Sequence, residues 1–267
     1  HNRCRRQRQM CIRDRKNLVV GCTLLGVVAL FFVGKRSGEE LALAPCDIGE
    51  KVETPIHFFT DASMSESKIQ KMIGYSNLVL QNSCVPMERT LSGITRIDLS
   101  GFQDAESSKL HKQLVKLVGD EVLEPMQREG SYYALVLPED HEFLGEGTVG
   151  SVDLNLSRSF LVLSSAAEVE VLEHELGHLA WAWHNDTPDY WLKGMLLQEN
   201  HDYIKPYSFG ALCREAGTVM TYAEKVLPVY SSPNIQYYGK ACGDAEKADN
   251  ARHMREFAQS LALNAAT

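Results

Sequence analysis

Little in this chain marks a disordered, repetitive or nucleic-acid-binding protein. Only 9 of its 267 residues are proline, and with 44% hydrophobic and 23% charged residues it carries enough apolar material for a globular core. No internal repeat is apparent. The glycines at 145–150 lack the spacing and the following helix of a phosphate cradle, and read as a turn or loop. The acidic residues show no EF-hand spacing, so they read as solvated surface rather than calcium ligands. Basic residues are scarce after position 36, 18 against 34 acidic, whereas nine basic residues and one acid precede it. An acidic main body argues against nucleic acid as a partner.

A long hydrophobic run occurs once. Residues 17–34 are 18 positions without a charge, rich in Leu, Val and Phe and bracketed by Lys16 and Lys35, just long enough to span a thin bilayer. The basic flank before it keeps the amino end in the cytoplasm by the positive-inside rule. The expected organisation is a basic cytoplasmic tail at 1–16, a transmembrane signal anchor at 17–34, a polar stalk at 35–54 and a folded domain at 55–267, periplasmic or extracellular. The string MCIRDR at Met10 to Arg15 resembles translated sequencing adapter. Ala42-Leu43-Ala44 offers a competing signal-peptidase site that would leave the domain secreted, but Pro45 would follow the cut and the charged KRSGEE stretch approaches it poorly.

Cysteine is also partitioned. Cys4, Cys11 and Cys22 fall in or before the apolar span, leaving Cys46, Cys84, Cys213 and Cys242 where disulfides persist. Four cysteines allow three pairings, and proximity along the chain favours Cys213 with Cys242 and Cys46 with Cys84.

Coarse periodicity places the elements. Pro55 to Thr60 has strand composition; Ser63 and Glu66 form a capping box before a helix with Ile69, Met72, Ile73, Val79 and Leu80 at helical spacing. Ile94 to Leu99 alternates as a strand with one wet face. Ser107 to Val118 is helical, with Leu110, Leu114, Leu117 and Val118 as its buried stripe. Tyr132 to Leu137 and Phe160 to Leu163 read as inner strands. From Ala166 to about Trp183 the chain is again helical, with Val169, Leu172, Leu176, Leu179, Ala180 and Trp183 as the core stripe and His174 and His178 facing a cleft.

The run HELGHLAWAWH at 174–184 carries the chemistry. His174 and His178, four apart on a helix, can present two imidazole nitrogens to one metal ion, and Glu175 beside them can take a proton from a water that the metal activates. A catalytic zinc uses three protein ligands and leaves one position open, and His184 is the nearest third candidate. On a continuing helix His184 would sit about 9 Å along the axis from His178, too far to share an ion, so the helix must break near Trp181. Asp186, Asp189, Glu199 and His201 are substitutes within reach, Glu199 the best placed among them.

This run resembles the HExxHxxGxxH signature of the metzincin zinc metallopeptidases. GTVMTY at 217–222 resembles their Met-turn, SSPNIQYYGKACGDAEKADNAR at 231–252 is similar to the tail of reprolysin-like members, and NLVLQNSCVPM at 77–87 looks like their first helix and second strand. The resemblance covers roughly residues 55–260. It implies an α+β metzincin-like zincin domain with a twisted mixed five-stranded sheet packed with helices and an active-site helix carrying the motif. It further implies one zinc ion held by His174, His178 and His184, Glu175 as general base, Met220 beneath the metal site, and Tyr222 as a tyrosine that approaches the zinc in astacin-like and serralysin-like members. The departure is Trp181, where the family has glycine because the turn asks for angles that oppose a Cβ. In some metzincins a pro-segment cysteine blocks the zinc, and Cys46 precedes the catalytic region, although in an exported chain a disulfide is the plainer use. The expected activity is zinc-dependent hydrolysis of peptide bonds in a peptide or protein substrate. The alternatives are a catalytically inactive metzincin-like binding protein and a zinc hydrolase of a non-peptide substrate.

Overall fold

The computed structural model describes residues 10–13 and 40–265. The apolar span at 17–34 and most of the basic tail lie outside the described residues. Among the described residues no helix is long and apolar enough to cross a membrane.

In chain order the elements begin with strand β1 (Met10–Arg13) and the short β2 (Leu41–Ala42), then β3 (Val52–Thr60), helix α1 (Glu66–Asn82), β4 (Met87–Arg96), α2 (Ser107–Val118) and α3 (Asp120–Leu123). They continue with β5 (Tyr132–Leu137), β6 (Thr148–Val152), β7 (Phe160–Ser164), α4 (Val171–Leu179) and α5 (Asp189–Met195). Short strands β8 (Leu212–Cys213), β9 (Ala216–Gly217) and β10 (Lys225–Val226), then β11 (Ser232–Tyr237), β12 (Lys240–Cys242) and α6 (Asn250–Ala265), complete the chain.

The main sheet runs β1-β6-β7-β5-β3-β4, with β7, β5, β3 and β4 parallel and β6 antiparallel to β7. Without β1 these are five strands of a mixed sheet in an α+β domain. All six residues of β5 are buried, as a parallel strand covered on both faces requires. Tyr132, Ala134 and Val136 join Ile56, Phe58, Ile69, Leu172 and Leu176 in the core on the side of α1 and α4. The alternate residues Tyr133, Leu135 and Leu137 join Phe59, Leu110, Leu114 and Phe160 on the side of α2. A separate cluster beneath α6 holds Met220, Tyr230, Met254 and Ala258.

Several elements differ from expectation, each for a local reason. The stretch 145–150, read as a turn or loop, enters a strand at Thr148, and residues 148–152 form β6; the strand is only five residues long and its central glycine hides the pattern. The cap of α1 is Ser65, whose side chain accepts from the Lys68 N–H at 3.2 Å, rather than Ser63, because Asp61 takes the Ser63 N–H at 2.7 Å into a turn. Strand β4 starts at Met87 and stops at Arg96, not Leu99, since it pairs along the whole of β3, from Val52 opposite Met87 to Thr60 opposite Arg96. Leu117 of α2 is exposed, so its stripe narrows to Leu110 and Leu114. Pro55 is tolerated because β5 pairs with β3 only from Ile56 onward.

Two disulfides form, Cys46–Cys84 and Cys213–Cys242, with Cα separations of 5.9 and 4.9 Å. Strand β1 pairs antiparallel with β6, Cys11 opposite Ser151. A chain anchored through 17–34, its first sixteen residues across a bilayer from the domain, excludes that pairing; the two arrangements are alternatives.

Candidate metal centre

Helix α4 is shorter than its apolar pattern suggests and is buried all round. Every residue from Val171 to Leu179 is buried, including His174 and His178, so the histidine face does not floor an open cleft. The helix ends at Ala180 in a Schellman closure: the Trp181 N–H donates to the His178 carbonyl and the Ala182 N–H to the Gly177 carbonyl, both at 2.9 Å. Trp181 occupies the position after the cap with φ of +68°, where glycine is favoured because a Cβ opposes the left-handed region by about 1–2 kcal/mol. The chain then reverses. The Trp183 N–H donates to Ser208 and its carbonyl accepts from Gly210, both at 2.8 Å, fixing the return path that carries His184 back over α4.

The reversal brings three nitrogens together. Nε2 of His174 lies 2.9 Å from Nε2 of His184 and 3.1 Å from Nε2 of His178, and the His178–His184 edge is 2.8 Å. These separations are not ordinary hydrogen bonds. Nδ1 of His174 faces the Val219 carbonyl at 2.7 Å and Nδ1 of His178 the Ala182 carbonyl at 2.8 Å, and a carbonyl accepts only, so both rings carry their proton on Nδ1. Their Nε2 atoms then present bare lone pairs to one another. Burial holds the His174 imidazole down to about 4, the bond to Val219 opposing it. Burial likewise holds His178 and His184 well below the usual imidazole range, helped by the neighbouring rings. All three rings are therefore neutral near pH 7 and available as ligands. Tetrahedral zinc with bonds of ~2.0–2.1 Å sets its nitrogens ~3.3 Å apart, so the observed triangle is near the required size. Among the described residues this buried triad is the group of three that can hold a metal. Glu199 and His201 do not join it; His201 turns its Nε2 toward the Leu196 carbonyl at 3.3 Å.

Glu175 is fully buried and, among the described residues, neither carboxylate oxygen has a hydrogen-bond partner. Burial pushes its carboxyl well above the usual carboxylate range. It lies under β6, since a Cβ built on Gly150 would come within 2.6 Å of its Oε1. Met220 is buried with its sulfur packed on Gly177, 2.5 Å from where a Cβ would stand, one helical turn past His174. Tyr222 stacks on His174 with centroids 5.8 Å apart and tilts against His184 at 4.3 Å, while remaining 37% exposed.

Behind the imidazoles the same helix carries a second polar cluster that motif reading missed. The fully buried Arg89 of β4 grips Glu173 through Nε at 3.1 Å and Nη2 at 3.0 Å, and its Nη1 donates to Thr54 at 3.1 Å. The Tyr230 hydroxyl donates to Glu173 at 2.7 Å. Burial opposes the Arg89 charge, but the adjacent carboxylate more than offsets it and pushes the guanidinium up. This network ties α4 to β3, β4 and the C-terminal segment. The only signal in the sequence was a charged residue inside a strand pattern and another inside an apolar helix, 84 positions apart.

Fold and site thus define an α+β domain with a three-imidazole centre and, on the same helix as two of its rings, a carboxylate without a partner among the described residues. No family model and no curated protein matches the chain. Among solved structures, it is similar to a chain from a chaperone–substrate complex, with a TM-score of 0.58 and 17% identity over 80% of this chain and 35% of that one. Weaker likenesses include metalloproteinase-II from Bacteroides fragilis, with a TM-score of 0.45 and 18% identity over 83% of this chain and 57% of that one. Another is a zinc-dependent peptidase from Methanocorpusculum labreanum, with a TM-score of 0.31 and 18% identity over 56% of this chain and 91% of that one. The chain spans about a third of the length of the first and a little over half of the second. At these identities the first likeness concerns fold alone.

Proposed function

We propose that this chain is a zinc-dependent endopeptidase of the metzincin type, with His174, His178 and His184 as ligands and Glu175 as general base. The observation that carries the reading is the meeting of three neutral imidazoles, two with their Nδ1 protons committed to carbonyls, on and over a helix whose buried Glu175 carboxyl no group among the described residues satisfies. Polar groups left unsatisfied in an interior are destabilising unless something outside the chain completes them.

Zinc, when bound, polarises the scissile carbonyl and lowers the pKa of a water toward ~7. The chain's residues do the rest. The carbonyls of Val219 and Ala182 hold His174 and His178 in the tautomer that points Nε2 inward. Glu175 takes the proton from the attacking water and returns it to the leaving amine; its burial raises its proton affinity, which suits a group that must do both. Tyr222, stacked on His174 and tilted against His184, steadies the charge that develops on the substrate carbonyl. An extended peptide or protein substrate runs as an added strand along β6, in the place that β1 holds in the described structure and leaves when the first sixteen residues lie across a membrane or are cleaved off. The domain is exported, held at the membrane through 17–34 or secreted, and the two disulfides favour such an oxidising compartment.

Metal analysis of the full chain tests the reading. About one zinc per chain, absent from His184→Ala, with chelator-sensitive cleavage of an unfolded protein, is the expected result. Metal without any peptide cleavage supports a hydrolase of another bond instead, and a chain that binds no metal supports an inactive binding protein.

A further inference from the structure

Trp181 has to be held where it is. A tryptophan at φ +68° occupies a backbone conformation that a glycine enters freely, yet the turn there decides whether His184 reaches the other two rings. The indole is 2% exposed and lies flat on Tyr203, with centroids 4.5 Å apart and planes 6° from parallel. The Arg158 guanidinium stands 5.1 Å from the Trp181 ring and 4.5 Å from the Tyr203 ring. Arg158 is itself fastened, donating from Nη1 to the Tyr203 hydroxyl at 3.1 Å and from Nη2 to Oδ1 of the buried Asn200 at 3.3 Å.

Three separate stretches meet in this stack: the turn after α4, the 3-10 turn Gln198–Tyr203, and the loop between β6 and β7. Asn155 of that loop also holds the chain just before the 3-10 turn, donating to the Met195 carbonyl at 3.0 Å and accepting from the Leu197 N–H at 2.9 Å. The indole is thus gripped from two segments remote from its own turn.

We propose that Tyr203 and Arg158 clamp the Trp181 ring and so act as positioning residues for His184, the stack doing for this turn what a glycine does where no side chain opposes it. The inference rests on the three histidines being metal ligands. Tyr203 is 37% exposed and Arg158 only half-buried, so trimming either is compatible with folding. A side chain that merely filled space would affect melting without a matching effect on the metal.

The experiment compares zinc affinity, by competition with a chromophoric chelator, with the melting temperature of the metal-free full chain. Tyr203→Ala and Arg158→Ala are expected to weaken zinc about 10-fold or more, as loss of a ligand-orienting contact does. Tyr203→Phe, which keeps the ring, stays close to wild type. Trp181→Gly relieves the strained backbone and keeps zinc, and in that background Tyr203→Ala causes no further loss. If Trp181→Gly does not fold, the contrast between Tyr203→Ala and Tyr203→Phe decides alone. Zinc held equally tightly by wild type and by Tyr203→Ala overturns the clamp while leaving the metal centre standing. A wild-type chain that holds no zinc overturns the metal reading and the clamp with it.

Discussion

Glu173 and Glu175 sit two residues apart on one helix, and both are completely buried, yet their surroundings are opposite. Glu173 accepts two bonds from Arg89 and one from the Tyr230 hydroxyl. Glu175 has none. A buried charge with every partner in place is a strut, since its desolvation is offset within the chain. A buried carboxyl with no partner is costly, and a fold retains such a group where its chemistry is used. One face of α4 therefore fastens the helix to the sheet, and on the proposed reading the other is left for a ligand and a reaction.

The same substitution on each side breaks the comparison most sharply. Glu175→Gln is expected to lower peptide turnover roughly 100- to 10,000-fold while the melting temperature stays level or rises; unchanged turnover would remove the general-base assignment. Glu173→Gln strands the Arg89 guanidinium and should destabilise by about 3–5 kcal/mol. That corresponds to a melting temperature lower by roughly 6–20 °C, read by thermal denaturation. If Glu173→Gln melts like wild type, the strut assignment fails.

Acidification sharpens the contrast at smaller amplitude. The three imidazoles are held below their unfolded value of ~6.5, so the folded metal-free chain binds fewer protons than the unfolded one. Their contribution to stability is complete above about pH 6.5 and is lost as pH falls toward about 4. Metal-free protein should therefore melt progressively lower across that window, and zinc-loaded protein should resist; superimposable curves would show that the rings are not held neutral. The smallest effect expected is that of Gly150→Ala. Its new methyl would press on Oε1 of Glu175 and on Val171, costing about 1–3 kcal/mol by overpacking and shifting the carboxylate. Turnover should fall with it, whereas equal turnover at equal stability would show that β6 does not bear on Glu175.

Much of this could be read along the chain. The four-residue interval between His174 and His178 puts both on one helical face whatever surrounds them, and the unbroken apolar run of β5, buried throughout, and the span of α2 follow from short-range pattern. Of the four cysteines that follow the apolar span, the two disulfides join those nearest each other in sequence. Misreadings occurred where a local signal was outcompeted by a neighbour or by pairing at a distance. Ser63 has the chemistry of a cap but is drawn into the Asp61 turn. Thr148–Val152 has too few residues and one glycine too many to look like a strand, yet it pairs with β7. Arg89 and Glu173 carry no motif at all.

What the sequence determined by itself was the donor set: two imidazoles and a carboxylate at helical spacing, and a third imidazole that could be useful only if the helix stopped. Tertiary structure decided that it does stop, with a tryptophan in a glycine's conformation, and which of two neighbouring glutamates is tied down. The physical reason is range. Spacing along a helix is a property of consecutive residues, whereas the grip of Tyr203 and Arg158 on Trp181, and of Arg89 on Glu173, joins stretches more than twenty residues apart that only the packed fold brings into contact.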